Sequence, residues 1–274
     1  NPAQPLTGYS PIWGDEATPR SLRTRLGLIQ VADRVAGTDG FGAPKFDLKS
    51  LQQVMYGDRN YGAELTREAL SKICWQSERP GIPAACKALA GWDGKVELDS
   101  RGAHLFHLFA ENGGLKFKVP FDPKDPVRTP NTLDTSDPKV LEALAKAVDR
   151  LNELGIPADA RLGDVQVETR GGERIPIHGG AGPEGVFNVI TVGKLEPKPG
   201  WTDVRHGASW IMTMEFTPKG PVSQGILTYS ESTDSTSPHH SDQTRLYSQK
   251  GWDDLRFTDA AVEAGTESRL KIEE

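Results

Sequence analysis

Apolar residues recur with a helical period through the first part of the chain. The run SLRTRLGLIQVADRVAG follows a Thr18-Pro19 cap and ends at Gly37, and it places four apolar residues along one helix: Leu22, Leu26, Ile29 and Val35. Comparable stripes predict core-covering helices over 46–55, 60–75, 102–111 and 136–155. The proline-rich stretches 1–19 and 117–137 are expected to be an extended lead-in and an irregular connection.

The pattern changes near Gly163. From there the chain contains alternating or apolar runs separated by glycine-rich turns: VQVETR, RIPIHGG, VFNVITV, ASWIMTMEF and GILTYS. The turn GGAGPEG (179–185) lacks the Lys-Ser/Thr of a phosphate-binding loop and precedes a predicted strand. The sequence therefore predicts an α+β fold, with a mainly helical part over 1–160 and a β-rich part over 161–274.

A polar loop, 231–242, carries the residue types of a nucleophilic triad: Ser237, His239, His240, Ser241 and Asp242. Triad members normally converge from separate elements, and residues this close in sequence rarely fold back to do so. A turn, in which the two histidines satisfy backbone groups, is the better interpretation.

Composition excludes several classes of protein. The chain has 274 residues, 36% of them hydrophobic, so it is long enough to bury a sizeable core. Its net charge of -6 gives no basic footprint for nucleic acid. No apolar run approaches the length of a membrane span, and no lipidation motif is visible. We therefore expect neither a nucleic-acid partner nor a membrane.

Two cysteines and two histidines are candidates for further chemistry. Cys74 and Cys86 flank a proline-containing loop, which favours a disulfide, although two buried free thiols fit the same sequence. His104 and His107 lie one helical turn apart, but no third ligand with suitable spacing follows them. We expect no metal site and no cofactor.

The C-terminal part of the chain carries a long resemblance. GASWIMTMEFTPKGPVSQGILTYSES (207–232), followed by SPHHSDQTRLYSQKGWDDLRF, resembles the end of the β-subunit in the penicillin acylase family, closest to the acyl-homoserine lactone and aculeacin-type acylases. The run RGG…IPIHGG…FN also resembles that subunit. Family members are N-terminal-nucleophile hydrolases with an αββα sandwich, in which a self-cleaved precursor exposes a serine that attacks an amide.

The resemblance implies specific residues and partners. NPAQPLTGYSPIWGDEATPRSLRTRLGLIQ resembles the segment after the oxyanion-hole asparagine, which delivers an arginine to the catalytic centre. Arg23 is the arginine expected in this role, and Arg25, two positions away, is the alternative. Replacement of Arg20 is expected to have almost no effect on activity. The resemblance also favours the Cys74–Cys86 disulfide and a periplasmic or secreted enzyme. Expected partners are the α-subunit, the N-terminal part of the β-subunit and a small N-acyl substrate.

The sequence departs from the family pattern at its first residue. Asn1 has no nucleophilic oxygen, and no stretch resembles the serine-containing β-terminus. We therefore expect the chain to be the C-terminal portion of the β-subunit, with the nucleophile elsewhere. Two alternatives stay open: a noncatalytic extracellular binding or assembly module, and a self-contained serine hydrolase that uses Ser237 and His239.

Overall fold

Nine helices account for most of the regular structure in the part of the chain that the computed structural model describes, residues 7–14, 16–197, 200–201 and 203–272. They are α1 (Leu22–Ala36), α2 (Leu48–Met55), α3 (Tyr61–Ile73), α4 (Ile82–Gly91), α5 (Ala103–Glu111), α6 (Pro138–Leu154), α7 (Leu162–Val165), α8 (Asp242–Ser248) and α9 (Asp259–Ala264). None of these helices combines the length and apolar character needed to span a bilayer.

Helix boundaries follow from capping side chains. Asp137 accepts a hydrogen bond from the backbone of Lys139 at the start of α6, and Gly155 ends that helix in the left-handed conformation. The cap of α1 corrects the prediction: Ser21, not Thr18, accepts the hydrogen bond from the Thr24 amide. A serine in the extended conformation immediately before the first helical residue offers its hydroxyl to the unpaired amides there.

The apolar stripe expected on α1 is wrong at its C-terminal end. Leu22 and Leu26 are buried, whereas Val35 is 66% exposed. At about 100° per residue, Val35 lies about 140° around the helix from Leu22, so it cannot share that face. The buried positions of the last turns are instead the polar residues Gln30 and Arg34.

The described strands form five small antiparallel sheets. Three hairpin-like pairs join β1 (Phe117–Val119) with β2 (Asn131–Leu133), β3 (Val167–Arg170) with β4 (Glu173–Pro176), and β6 (Leu195–Glu196) with β7 (Gly200–Trp201). Strand β5 (Ile190–Val192) pairs with β8 (Val204–Gly207). The largest sheet has the order β11-β10-β9, formed by β9 (Trp210–Thr217), β10 (Gly220–Leu227) and β11 (Asp253–Asp254).

The fold is mixed helix and strand, helical first and strand-rich afterwards, as the sequence predicted. Strands β1 and β2 are a correction, because they lie within the stretch 117–137 that was expected to be irregular. Each is only three residues long, too short to produce a recognisable alternation. The expected lead-in, 1–19, falls partly outside the described residues; the remainder contains one exposed 3-10 turn, Pro11–Trp13.

The hydrophobic core crosses the sequence boundary near residue 160. Its largest cluster packs α3 to α6 around Trp92, Phe106 and Phe109, and it also includes Val186 and Trp201 from the β-rich part. A second cluster joins Tyr56 to the inner faces of the strands and to Tyr247. The two parts of the chain therefore share buried surface.

A disulfide joins Cys74 to Cys86, so the structure contains the bridge rather than two thiols. Both residues are fully buried, and their Cα atoms are 5.8 Å apart, within the range that a disulfide spans. The bridge ties the end of α3 to α4. Closing a loop of this size restricts the unfolded chain and stabilises the fold by roughly 3 kcal/mol.

Candidate functional site

The arginines of α1 lie in different environments. Arg25 is fully buried: its Nε donates to the Val127 carbonyl at 2.6 Å, its Nη1 donates to the Pro130 carbonyl at 2.8 Å, and its guanidinium lies 5.1 Å from the Tyr61 ring centre. These contacts hold the loop before β2 against α1. Arg25 therefore has a structural role within this chain.

Arg23 is on the surface and is oriented by a single residue. Its Nε donates to the Phe187 carbonyl at 3.0 Å, and its guanidinium carbon lies 5.2 Å from the centre of the Phe187 ring. Among the residues that the structure describes, no hydrogen bond is made by its two Nη nitrogens. The forked end of Arg23 is thus held at its base and presents its remaining donors outward.

The segment that holds Arg23 is the glycine-rich turn, Gly179–Phe187, which we call the Glu184 turn. It contains a 3-10 turn, Gly182–Glu184, and leads into β5 rather than a helix, which agrees with the turn interpretation of GGAGPEG. Gly185 has φ +86°, and a Cβ there would lie within 3 Å of side chains on both α1 and α3. The turn therefore requires glycine at this position.

A buried carboxylate anchors the Glu184 turn. Glu184 is 3% exposed; its Oε2 accepts from Asn60 Nδ2 at 2.8 Å, and its Oε1 lies 2.5 Å from His107 Nδ1. Asn60 also caps α3 by accepting from the Ala63 amide. Burial lowers the pKa of His107, but the charge and hydrogen bond of Glu184 outweigh this, so the net direction is upward.

His104 has a separate environment despite its position one turn before His107. Its Nε2 donates to the Pro157 carbonyl at 2.8 Å, and burial lowers its pKa to about 4. The two rings thus have different partners rather than a shared ligand. Within the described ranges, no group of three or more potential metal-binding side chains is found.

The histidine-rich loop near the C-terminus is a set of local turns. The Ser237 hydroxyl accepts from the backbone amide of His239 at 3.2 Å, while the His239 ring contacts Asp242 with Nδ1 and Oδ2 2.8 Å apart. The ring of His240 donates to the Ser232 carbonyl. In the described part of the chain, no serine hydroxyl is hydrogen-bonded to a histidine ring, and Ser237 and His239 contact each other only through the backbone amide.

A buried polar network connects distant parts of the chain. The Asp58 carboxylate contacts His178 Nδ1 at 2.8 Å, Asn188 Nδ2 at 3.1 Å and Lys250 Nζ at 2.9 Å. The other ring nitrogen of His178 lies 2.9 Å from the Tyr247 carbonyl. Residues 58, 178, 188, 247 and 250 thus form one network although they lie far apart in the sequence, and no sequence pattern predicted it.

Two cavities open on the surface near these elements. One, of about 600 Å³, is lined by His107 and Trp201 together with charged residues of α6. The other, of about 910 Å³, runs between α1, α3 and the loop before β2. Arg23 lines neither cavity. Neither cavity is therefore a binding site that Arg23 could line within this chain.

Comparison with known proteins identifies the family. The model of the penicillin amidase family matches residues 3–264, and the chain belongs to that family. It is 46% identical to aculeacin-A acylase of Actinoplanes utahensis over 98% of this chain, and 33% identical to acyl-homoserine lactone acylase PvdQ of Pseudomonas fluorescens (strain Pf0-1) over 99% of it. Both relatives are named as acylases, which supports an amide-hydrolase function.

The chain spans about a third of those relatives, 35% of each. A structural likeness is also found to the thermostable penicillin G acylase from Alcaligenes faecalis. That match has a TM-score of 0.43 and 15% identity, and it covers 89% of this chain and 52% of the other.

Proposed function

We propose that this chain is the C-terminal portion of the β-subunit of an amide hydrolase that removes the acyl group from an N-acyl-homoserine lactone, a lipopeptide or a β-lactam. The observation that carries the proposal is the similarity to acylases along nearly the whole chain, 46% and 33% identical over 98% and 99% of its length. The names of those relatives point to acyl-homoserine lactones and to aculeacin A, and the family name points to penicillin, a β-lactam.

The nucleophile of this enzyme is a serine outside residues 1–274. The side-chain hydrogen bonds found for serines in the described ranges go to backbone groups, to other hydroxyls or to carboxylates, as from Ser50 to Asp47 and from Ser100 to Asp93. None of these hydrogen bonds joins a serine hydroxyl to a histidine ring, the base of a Ser-His pair. In the proposed mechanism, a serine at a processed N-terminus attacks the amide carbonyl and its own α-amino group takes the proton.

Arg23 is the group that this chain contributes to the reaction centre. Its guanidinium stays charged and presents donors beyond the point where Phe187 holds it. A fixed fork of this kind orients a carbonyl or carboxylate of the substrate, or polar groups around the nucleophile. Arg25 does not compete for this role, because its guanidinium is buried against two carbonyls of the chain itself.

Other chains of the same processed precursor complete the enzyme. The outer face of the β9–β10 hairpin carries exposed apolar side chains, Trp210 and Met212 at 49% and Phe216 at 83%, and β9 is an edge strand of its described sheet. An exposed apolar face beside an unpaired edge favours association with another segment. We propose that the α-subunit and the N-terminal part of the β-subunit cover this face and complete the αββα sandwich.

The disulfide is the basis for the compartment that we propose. A buried bridge between Cys74 and Cys86 is stable in an oxidising environment and rare in the reducing cytosol. This supports a periplasmic or secreted enzyme that meets small N-acyl substrates outside the cytoplasm.

The proposal predicts the products of the reaction. The mature protein, incubated separately with N-dodecanoyl-homoserine lactone, aculeacin A and benzylpenicillin, should release a free carboxylic acid and a free amine in equal amounts from at least one of them. Mass spectrometry of the products and an amine-reactive dye measure both. Opening of the lactone or β-lactam ring without release of the acyl chain as a separate acid would contradict acyl removal, and no turnover of any substrate would favour a noncatalytic binding module.

A further inference from the structure

The Glu184 carboxylate is joined to two helices that are far apart in sequence. Asn60 at the start of α3 donates to one oxygen, and His107 of α5 contacts the other. Asn60 is fully buried, Glu184 is 3% exposed, and the His107 side chain is 23% exposed. A carboxylate in such a place needs both partners, because a buried charge without hydrogen bonds is strongly unfavourable.

The same turn also lies against the start of α1. A Cβ on Gly185 would lie 2.9 Å from Leu22 Cβ and 2.8 Å from Tyr61 Cβ, and one on Gly62 would lie 2.9 Å from the Glu184 carbonyl oxygen. The turn is thus packed tightly between α1 and α3. The contacts of the Glu184 carboxylate with Asn60 and His107 hold it in this position. Displacement of Glu184 would move the backbone that follows it.

Phe187 is three residues after Glu184 and is the residue that holds Arg23. Its carbonyl accepts from Arg23 Nε at 3.0 Å, and its ring lies under the guanidinium. The position of the Arg23 fork is therefore set by the end of the turn that Glu184 anchors. A shift of the turn would move the Phe187 carbonyl and ring, and with them the Arg23 fork.

We propose that Asn60, Glu184 and His107 position Arg23 for catalysis by fixing the turn that carries Phe187. The proposal rests on the role given above to Arg23. Glu184 and His107 act here as positioning residues, because they reach Arg23 only through the turn. Their loss should reduce kcat more than it changes KM, since misplacement of a group that acts in the transition state slows the chemical step.

A double-mutant cycle in the mature enzyme tests the coupling. Glu184→Gln keeps the size of the side chain but removes its charge, and it should lower kcat about 5- to 20-fold with Arg23 present. In the Arg23→Ala background, the same change should lower kcat less than about 2-fold, because there is no guanidinium left to position. The substrate is the one that gives the highest kcat/KM among the three named above.

Glu168→Gln is the matched control. Glu168 is a largely buried carboxylate that accepts from the Val204 amide at 2.9 Å and pairs with Arg170 at 3.2 Å, so both of its partners differ from those of Glu184. It should change kcat less than about 2-fold in either background. Melting temperatures of all variants show whether a loss of activity follows a loss of folding.

His107 supplies a second series if Glu184→Gln does not mature. His107→Asn places an amide donor near the position of Nδ1 and should keep most of the activity, whereas His107→Phe leaves Oε1 of Glu184 without its partner and should reproduce the loss. Equal losses in both Arg23 backgrounds would overturn the positioning role while leaving Arg23 itself in place. If Arg23→Ala keeps the activity of the parent, the role of Arg23 and the positioning proposal both fail.

Discussion

Replacing Asp58 by Asn should destabilise the mature protein by about 3 to 5 kcal/mol, the cost of removing one partner from a buried ionic network. Asp58 has φ +46°, a conformation that Asn also adopts readily, so the backbone does not confound the test. The amide cannot accept from His178, Asn188 and Lys250 as the carboxylate does. The free energy of unfolding in urea measures the loss.

Asp99→Asn is the control for this prediction. Asp99 also pairs with a cation, Arg161, but its side chain is 85% exposed. An exposed pair contributes about 0 to 1 kcal/mol, so this variant should unfold close to the parent. If Asp58→Asn were as stable as Asp99→Asn, the network would not hold the helical and strand-rich parts together.

Replacing Arg23 by Ala should lower kcat/KM about 10- to 100-fold, which corresponds to roughly 1.4 to 2.7 kcal/mol of transition-state stabilisation. The protein should still mature and fold, because Arg23 is exposed and its contacts within the chain are to Phe187. Steady-state kinetics and a melting curve separate the two effects.

The neighbouring arginines make the test specific. Arg25→Ala should instead destabilise the protein by about 2 kcal/mol, because the carbonyls of Val127 and Pro130 lose their donor. Arg20→Ala should be nearly neutral. Full activity of Arg23→Ala together with a catalytic defect in Arg20→Ala or in folded Arg25→Ala would place the functional arginine at another position of α1.

Local patterns predicted the elements whose structure depends on local chemistry. The helix over 136–155 appears as α6 because its apolar stripe, its Asp137 cap and its terminal Gly155 all agree. The run ASWIMTMEF (208–216) coincides with β9 except at its ends, whereas GILTYS (225–230) overlaps β10 only at 225–227 and continues into a turn. Where propensity, pattern and capping point the same way, the sequence is sufficient.

Features that depend on long-range contacts were missed. The last turns of α1 bury Arg34, which donates to the carbonyls of Gly42 and Ala43, and a pattern that assumes apolar cores assigns such a residue to the surface. Glu184 was missed for the same reason, because a glutamate in a glycine-rich turn looks exposed. Only the proximity of Asn60 and His107 makes its burial favourable.

The candidate site was predicted from family resemblance more than from physical pattern. The resemblance pointed to Arg23 or Arg25, and the structure separates their environments because one guanidinium is exposed and the other buried. No rule of periodicity distinguishes two arginines that are two residues apart on a helix. The distinction comes from carbonyls more than a hundred residues away, at Val127 and Pro130.

We propose that this chain is part of an acylase whose nucleophile lies outside residues 1–274. The most direct measurement is to treat the mature protein with phenylmethanesulfonyl fluoride, with and without substrate, and to map the modified peptide by mass spectrometry. The account predicts one substrate-protected label on an N-terminal serine outside residues 1–274, with parallel loss of amidase activity. A substrate-protected label on a serine within this chain, such as Ser237, would contradict it.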